Sequence, residues 1–574
     1  MTVQTPHARW TFAGAATDAD LSSYGSLPRL VATLLHGRGI EPAQTAAFLN
    51  DRGQPLGDPF LLAGMTDAVA RLRFAYERGE KVCVYGDYDA DGLTAQAVLV
   101  TALRAWKFPD VCTYTPHRDK EGYGLHHDAL AHIAEDGVQL VIAVDLGISN
   151  AAEVAQAGER GVDVIVVDHH TIPVMIPAAA AVINPQLPES AYPFRSLAGV
   201  GVAYALVRAL AGSGAPFTRP TPGILTTLLS FVAIGTVADV VPLIGENRTL
   251  VQAGLRALRK TDHAGLVALF ERAGIRQADL EASHISFAIA PRLNAPGRVR
   301  GVEDSYRLLM PDSAVEARMA AVALDEANRT RQAETHRAVA EAIARIEADG
   351  LAERDRVLFI GDPSWNVGVV GLVAAKLTDR YHRPAFVYTR GAATSRGSAR
   401  SIAAFDLIAA LHANADLMLR HGGHPRAAGF TAANDALAAL HTALIEHAAT
   451  LTDDDLSPTL RLDATLAHDE VSLVAQAQIA ALAPFGHGNP EPLFLLPGVR
   501  VREMRAVGAD GSHLAFQAVL DSGESVRCIA FGLGPRERKL GQPTAVDLAV
   551  TLQRDVWRGD ERLQLRVRDF RPSD

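Results

Sequence analysis

The stretch GDYDADG places aspartates at 87, 89 and 91, directly after the apolar run VCVY. Read as extended chain, alternate residues leave the backbone on one side, so the three carboxylates share a face. Converging carboxylates repel one another unless a cation lies between them. Three further places carry related chemistry. Asp145 ends LVIAVD, Asp168, His169 and His170 end VDVIVVDHH, and Asp239 sits inside the apolar FVAIGTVADVVPL. A carboxylate in apolar surroundings is costly unless paired, metal-bound or protonated. Carboxylates with one or two imidazoles suit Mn2+ or Mg2+ better than a thiolate-preferring ion. A carboxylate shared by two such cations holds them about 4 Å apart, an arrangement used for in-line displacement at phosphorus. Each residue also has a plainer reading. An aspartate at a strand end commonly caps the next helix, Asp91 before Gly92 suits a turn, the histidine pair suits a solvated surface, and Asp239 suits a turn cap. Acid and imidazole at the ends of several strands together favour a dinuclear metal site.

Those residues need a scaffold that gathers strand ends. KVCVYGD, VQLVIAVD and VDVIVVDHH read as strands, with TAQAVLVTALRAW and AAEVAQAGERG as helices between them. Apolar strands separated by helices predict an α/β fold with a parallel, doubly wound sheet, where ligands collect beyond the carboxyl ends of the strands. At 574 residues the chain has room for three or four domains. Residues 1–67 read as an N-terminal lead-in and 68–310 as the sheet domain. Residues 311–350, rich in Ala, Glu and Arg, read as one long connecting helix or two, either lying on the surface or lining a cleft. A second α/β domain is expected over 351–452. Beyond the polar LTDDDLSPTL, residues 453–574 carry five short alternating stretches, VRVREMRAVG, HLAFQAVL, VRCIAFG, AVDLAVTLQRD and RLQLRVRDF. These predict a small β-barrel of the oligonucleotide-binding (OB) type.

Composition excludes more than it selects. Hydrophobic residues at 48% against 21% charged describe a folded globular chain rather than a disordered one. Cys83, Cys112 and Cys528 are scattered, which suggests neither a disulfide framework nor a thiolate metal site. No run of about 20 apolar residues offers a membrane span, and MTVQTPHARW has no apolar signal core. A cytoplasmic protein away from membranes is the expectation. The net charge of −10 argues against a wholly basic nucleic-acid coat, but not against an enzyme with a local basic groove.

In order and spacing, GDYDADG, VDLGIS, VDHH and AIGTVADVVPL resemble the four motifs of the DHH phosphoesterases. The likeness continues through INPQ, SLAGVGVAYAL, APRLNAPGR, WNVGVVGLVAAKL, YHRPAF, GSARSI and GGHPRAAGF, from about Lys81 to Phe430, and APFGHGNPEPLF extends it to Phe494. With the long connector and the barrel, the chain is similar to the single-strand-specific DNA exonucleases of that superfamily. The resemblance implies a DHH catalytic domain, a DHHA1-type substrate-binding domain and an OB-like nucleic-acid-binding domain. It implies hydrolysis of single-stranded DNA from the 5′ end to 5′-mononucleotides, in repair and recombination, with two divalent cations, Mn2+ or Mg2+.

Carried over by position, the resemblance makes Asp89, Asp91, Asp145, His169 and Asp239 metal ligands, with Asp145 bridging and Asp87 a ligand or its close neighbour. His170 would face the phosphate, and Asp168 would orient the pair. Tyr85 stands where related dinuclear phosphatases carry a histidine ligand, and Leu146 where many exonucleases of this branch have asparagine. Substrate-binding candidates are Arg118, Arg292, Asn294, Arg298, Arg396, Ser398, Arg400, His424 and Arg426, most of them beside small residues that let backbone amides approach a phosphate. Arginines in general are more often solvated surface residues. Tyr123, Trp365 and Trp557 are candidates for base stacking. Arg554, Arg558, Arg562, Arg566 and Arg568 offer the barrel a track for the strand, although Asp555, Asp560, Glu561 and Asp569 among them suit a mixed solvated face equally.

Two other functions compete. A DHH phosphodiesterase of short oligonucleotides or cyclic dinucleotides would share the metal site. A strand-binding factor on a decayed domain should have lost the ligands that this chain keeps. Expected partners are single-stranded DNA, a single-strand-binding protein and a RecQ-type helicase, with the chain itself a monomer.

Overall fold

The computed structural model describes residues 8–14, 16–118, 120–508, 511–534, 545–557 and 560–573. Two compact units emerge, one formed mainly by Arg52–Leu456 with Gly486–Gly488, the other by residues up to Asp51 together with Ser457–Phe485 and the chain from Asn489.

The first unit opens with α1 (Met65–Arg78), β1 (Lys81–Gly86), α2 (Ala90–Ala105), β2 (Asp110–Tyr114), α3 (His127–Glu135), β3 (Leu140–Val144), α4 (Ala151–Glu159), β4 (Asp163–Val167) and β5 (Ala181–Ile183). The five strands are parallel in the order β2-β1-β3-β4-β5. β3 is LVIAV, buried at every residue, because both faces are covered and no polar alternation is needed. One face packs on α1, α2, α5 (Gly199–Gly212) and α6 (Pro222–Ala238), the other on α3 and α4. Since β2 and β3 lie on opposite sides of β1, the strand order reverses there, and the crevice at the carboxyl ends of β1 and β3 is where this topology places a ligand.

The connector is one continuous helix, α7 (Ala314–Ala348), 35 residues long. Ala320, Ala321 and Leu324 join the core of the first sheet, whereas Ala338, Ala342 and Ile346 join that of the second. It is therefore packed at both ends rather than lying free on the surface. The second sheet contains β6 (Leu358–Asp362), β7 (Ala385–Arg390), β8 (Thr394–Arg400), β9 (Arg420–His424) and β10 (Ala427–Ala433), with α8 (Val370–Tyr381) following β6. Its order is β9-β10-β8-β7-β6, with only β6 and β7 parallel.

In the second unit, β11 (Phe494–Val507), β12 (His513–Val519), β13 (Ser525–Ala530), β14 (Val546–Trp557) and β15 (Asp560–Pro572) close into a five-stranded barrel, β14 returning to pair with β11. The expected lead-in over 1–67 is divided between the units. Leu30, Leu34 and Leu35, on the helix Arg29–Gly37, share a core with Leu514, Phe516, Leu548 and Val567 of the barrel. The strand Arg9–Phe12 pairs in parallel with Thr459–Leu462. An amphipathic helix must bury its apolar stripe, and the barrel provides the cover.

Candidate metal centre

β1 stops at Gly86, so the three aspartates of GDYDADG do not project from one strand. Asp87 lies in the connection, Asp89 is the extended residue that caps α2, and Asp91 sits in the first turn of that helix. Asp89 Oδ1 accepts the backbone N–H groups of Asp91 (2.9 Å) and Gly92 (3.1 Å), so the helix-capping alternative holds for this residue. Gly92 makes the sharp entry possible, because a Cβ there would stand 2.6 Å from the Cβ of Asp87. The carboxylates converge through a strand-to-helix turn, not through strand alternation.

Asp91 is buried, and its two oxygens accept from Gly199 (2.7 Å) and Val200 (3.0 Å), the first amides of α5. Two glycines admit the neighbouring helices. A Cβ at Gly199 would lie 2.4 Å from Asp145 Oδ1, and one at Gly235, in α6, 2.6 Å from Asp91 Oδ1. Asp145 follows β3 with φ +61°, and Asp239 at the end of α6 precedes Val240 with φ +62°. Left-handed backbone costs a non-glycine residue about 1–3 kcal/mol, a strain that collects at functional sites.

Three groups of donor atoms lie within 4.8 Å of one another: Asp87, Asp89 and Asp145; Asp91, His169 and Asp239; Asp145, His169 and His170. Asp145 belongs to two of them. His169 Nε2 is 3.1 Å from Asp145 Oδ1 and 3.6 Å from Asp239 Oδ2. Asp87 Oδ1, Asp145 Oδ1 and His169 Nε2 are buried without a hydrogen-bond partner. Buried polar atoms are nearly always partnered, so oxygen and imidazole donors left open together fit hard divalent cations.

Electrostatics describe the same need. Burial, then the charge of Asp89, pushes Asp91 up to about 7. Burial, then Asp91 and Asp89, pushes Asp239 up to about 9, and burial with the surrounding aspartates also drives Asp87 and Asp145 upward. Burial and the neighbouring His170 hold His169 down at about 4, leaving a neutral imidazole able to ligate. Asp168 behaves oppositely. Its burial would raise it, but hydrogen bonding and charge from His170 hold it at about 2. Its oxygens accept from His169 N (2.7 Å), His170 N (3.1 Å) and Ile148 N (3.0 Å), and Oδ1 lies 2.7 Å from His170 Nδ1.

Sequence reading missed several supports of this centre. Tyr123 Oη lies 3.1 Å from His170 Nδ1 and donates to the Asp145 carbonyl (3.2 Å). Asn184 donates to the His170 carbonyl (2.9 Å) and Gln186 Nε2 to that of His169. Both belong to the quoted INPQ, a signal that was available but carried no assigned role. Tyr85 and Leu146 are core residues on the α3–α4 face, with Tyr85 Oη donating to Gly124 O (3.3 Å).

Of the substrate-binding candidates, Arg118, Arg298, Ser398 and Arg400 come together. Burial, then the charges of Arg118, Arg331 and Arg400, lowers Arg298 to about 9. Arg298 Nη1 donates to Gly368 O (3.2 Å), and a Cβ at Gly371, in α8, would stand 3.4 Å from Ser398 Oγ and Arg400 Nη2. Crowded guanidinium groups beside a helix N-terminus suit an anion. Asn294 Oδ1 instead accepts Ala90 N (2.7 Å), fixing the start of α2. Arg292 is held by buried Asp325 (3.0 Å) rather than left for substrate. Arg396, His424 and Arg426 are exposed on β8 and at the β9–β10 hairpin.

Arg331, in α7, has a buried Nε without a hydrogen-bond partner and was not anticipated. Among the aromatic candidates, Trp365 is 1% exposed and donates to Glu341, so it is core and offers no stacking face. The Trp557 side chain and Arg558 lie outside the described residues. Phe287, on a π-helical turn, is 84% exposed and was hidden from sequence reading within the apolar HISFAIA. On the barrel, Arg554 pairs with Glu561 (3.1 Å) and Arg562 with Asp560 (3.7 Å), as a mixed solvated face would have it.

A parallel sheet with acids and imidazoles at its switch point, joined by a long helix to an arginine-bearing second sheet, defines a DHH-type phosphoesterase. Family models agree: the DHH family N-terminal domain matches residues 81–236, the DHHA1 domain 354–450 and the RecJ OB domain 462–569. The chain is 35% identical to the single-stranded-DNA-specific exonuclease RecJ of Bacillus subtilis, over 95% of this chain and 68% of that protein. Against the protein of the same name from Escherichia coli it is 34% identical, covering 96% and 97% respectively. A crystal structure of Thermus thermophilus RecJ in complex with Mn2+ matches with a TM-score of 0.83 and 31% identity, over 99% of this chain and 80% of that one. The Mg2+ complex of the same protein matches at 0.78 and 29% identity, covering 99% and 79%. The chain belongs to the RecJ family of single-stranded-DNA-specific exonucleases.

Proposed function

We propose that this chain hydrolyses phosphodiester bonds of single-stranded DNA from the 5′ end, releasing 5′-mononucleotides, in DNA repair and recombination. The reading is carried by one juxtaposition. Donor atoms of Asp87, Asp145 and His169 that are buried without a hydrogen bond stand beside an arginine group close enough that Arg118 acts on Asp87 and Asp89 on Arg298. A cation-hungry cluster next to an anion-hungry one is what a bound phosphodiester joins.

Asp87, Asp89, Asp91, Asp145, His169 and Asp239 would hold two divalent cations, Asp145 being common to two of the donor groups. Bound there, the cations supply Lewis acidity that activates water and neutralises charge on the phosphate oxygens. Asp168 fixes the His170 ring through Nδ1, which keeps Nε2 available to a phosphate oxygen. Arg118, Arg298, Ser398 and Arg400 would hold the terminal phosphate, with Arg396, His424 and Arg426 gripping more of the strand. Arg292 and Asn294 act as positioning residues, one on α7 and the other on the start of α2. In this reading the protein works as a cytoplasmic monomer, with a single-strand-binding protein and a RecQ-type helicase as partners.

The test uses a 60-nucleotide strand labelled at either end, single or annealed, with Mn2+, Mg2+ or EDTA, and Asp145→Ala protein alongside. Mononucleotide released first from the 5′ label, only from the single strand and only with an intact centre, is the expected result. Intact long strands with cleaved dinucleotides or cyclic dinucleotides would transfer the site to the small-substrate reading.

A further inference from the structure

The Asp239–Val240–Val241 corner stands between two cavities beside the metal centre. One, of about 190 Å³, is lined by Val240, Asn294, Arg298 and Arg331 among others, and belongs with the arginine group already described. The second, of about 360 Å³, is lined by His169, Gln186, Arg195, Ser196, Leu197 and Val241, and no role above accounts for it. Its volume falls in the range of about 300–1,000 Å³ typical of small-molecule sites.

Three observations say what it takes. Arg195 has no carboxylate within ion-pairing distance among the described residues, although His169, which lines the same cavity, lies against Asp145 and Asp239. Its guanidinium donates only long bonds to carbonyls, at 3.3 Å to Gln186 and Leu187 and 3.4 Å to Ser190, so its charge is oriented but not neutralised. Gln186 lines the same cavity and ties it to the centre by donating to the carbonyl of His169. Finally, the chain leaving His170 carries a fully exposed Val174 with exposed Met175 and Ile176. Val174 is four residues beyond His170, so it lies within about 14 Å of it at full extension. An unneutralised cation in a cavity that reaches His169, and an apolar tip on the chain that leaves His170, match the phosphate and the base of a nucleotide.

Cleavage within a strand needs room for a nucleoside on each side of the scissile phosphate. Resting on the exonuclease reading, we infer that the second cavity holds the first nucleotide of the strand that remains after cleavage. Arg195 pairs with the phosphodiester that follows that nucleotide, and Val241 with the Val174–Ile176 tip covers its base. These residues set affinity for strands longer than two nucleotides and the register in which each successive bond arrives.

The experiment is a chemical double-mutant cycle on the full chain with Mn2+. A 5′-labelled 12-nucleotide strand is compared with one whose second internucleotide linkage is a neutral methylphosphonate, using wild type, Arg195→Gln and Arg195→Lys. In wild type the methylphosphonate raises KM about tenfold with kcat little changed, as expected for an interaction shared by ground and transition states. Arg195→Gln raises KM for the natural strand by a similar factor and loses nothing further on the neutral one, while Arg195→Lys keeps most of the sensitivity. In parallel, a strand lacking its second base binds less tightly to wild type, and the triple change Val174→Ser, Met175→Ser, Ile176→Ser, confined to exposed side chains, removes that difference. Equal KM values for all strands in wild type, or multiplying effects of Arg195→Gln and methylphosphonate, overturn the assignment. Failure of wild type to cleave even the natural strand would instead overturn the exonuclease reading itself.

Discussion

Replacing Gly199 by alanine isolates the cradle of the centre from the ligands themselves. The added Cβ would stand 2.4 Å from Asp145 Oδ1 and 2.7 Å from its Cγ. Against an ordinary non-bonded separation of about 3.5 Å, something must retreat by about 1 Å. Gly199 cannot easily do so, because its N–H is bonded to Asp91 at 2.7 Å and it begins α5. Asp145 must therefore yield, and it is the carboxylate common to two donor groups. A misplacement of about 1 Å at a reacting centre costs about 100-fold in rate, or about 2.7 kcal/mol. Gly201, two residues on in the same helix, is the control. A Cβ there meets Leu197 Cδ2 at 3.4 Å, an ordinary contact. Turnover of a 5′-labelled single strand and Mn2+ affinity by calorimetry would be measured for both variants, with DNA affinity in EDTA as a check on folding. Gly199→Ala should lose about 100-fold in kcat and bind Mn2+ more weakly, while Gly201→Ala stays within about threefold of wild type. Wild-type turnover in Gly199→Ala would refute the claim that the close approach of α5 sets the position of Asp145.

Three further outcomes follow from the same packing. Asp239 titrates near 9 rather than its ordinary 3.8, so the folded chain binds this proton more tightly than the unfolded one. Its contribution is most favourable below pH 3.8 and declines as pH rises towards 9, so in EDTA the Tm should fall between pH 5 and pH 9, and Asp239→Asn should flatten that slope in a melting series. Asp168→Ala strands the buried amide of Ile148, at about 1–3 kcal/mol, and the half-buried amides of His169 and His170 at less, and should lower both Tm and turnover. Asp325→Ala leaves Arg292, Arg272 and Arg329 without their shared carboxylate; Arg272 and Arg329 reach water, so denaturant unfolding should register a loss of about 1–3 kcal/mol, mainly from Arg292.

The centre was legible because its ligands sit in short strings at the ends of elements whose apolar runs announce themselves. β3 and β4 are nearly pure Val, Ile, Leu and Ala, and the polar residue that ends each is conspicuous. Local geometry was less legible. Alternation suggested a strand through Asp91, whereas Asp89 competes for the backbone amides of Asp91 and Gly92 and starts a helix two residues earlier. Nothing in APRLNAPGR distinguishes an arginine facing a phosphate from one facing an aspartate 33 residues later, as Arg292 does with Asp325. Trp365 likewise looks available in a loop motif, until its indole N–H is seen to end on Glu341 in the second core. Pairing across hundreds of residues leaves no local trace, which is why the helix Arg29–Gly37 could not be matched to the barrel in advance.

That last pairing has a consequence for the order of events during synthesis. The strand Arg9–Phe12 and the leucines of the helix Arg29–Gly37 are translated first, yet their partners begin only at Thr459. At about 5–20 residues per second, the roughly 400 intervening residues take on the order of half a minute. Throughout that time an apolar helical face waits at the head of the nascent chain while the metal-binding sheet, whose five strands pair only with one another within residues 81–183, can already assemble. The sheet can form as the ribosome moves; the barrel unit must wait for its two ends to meet, and its early half is the natural client for a chaperone.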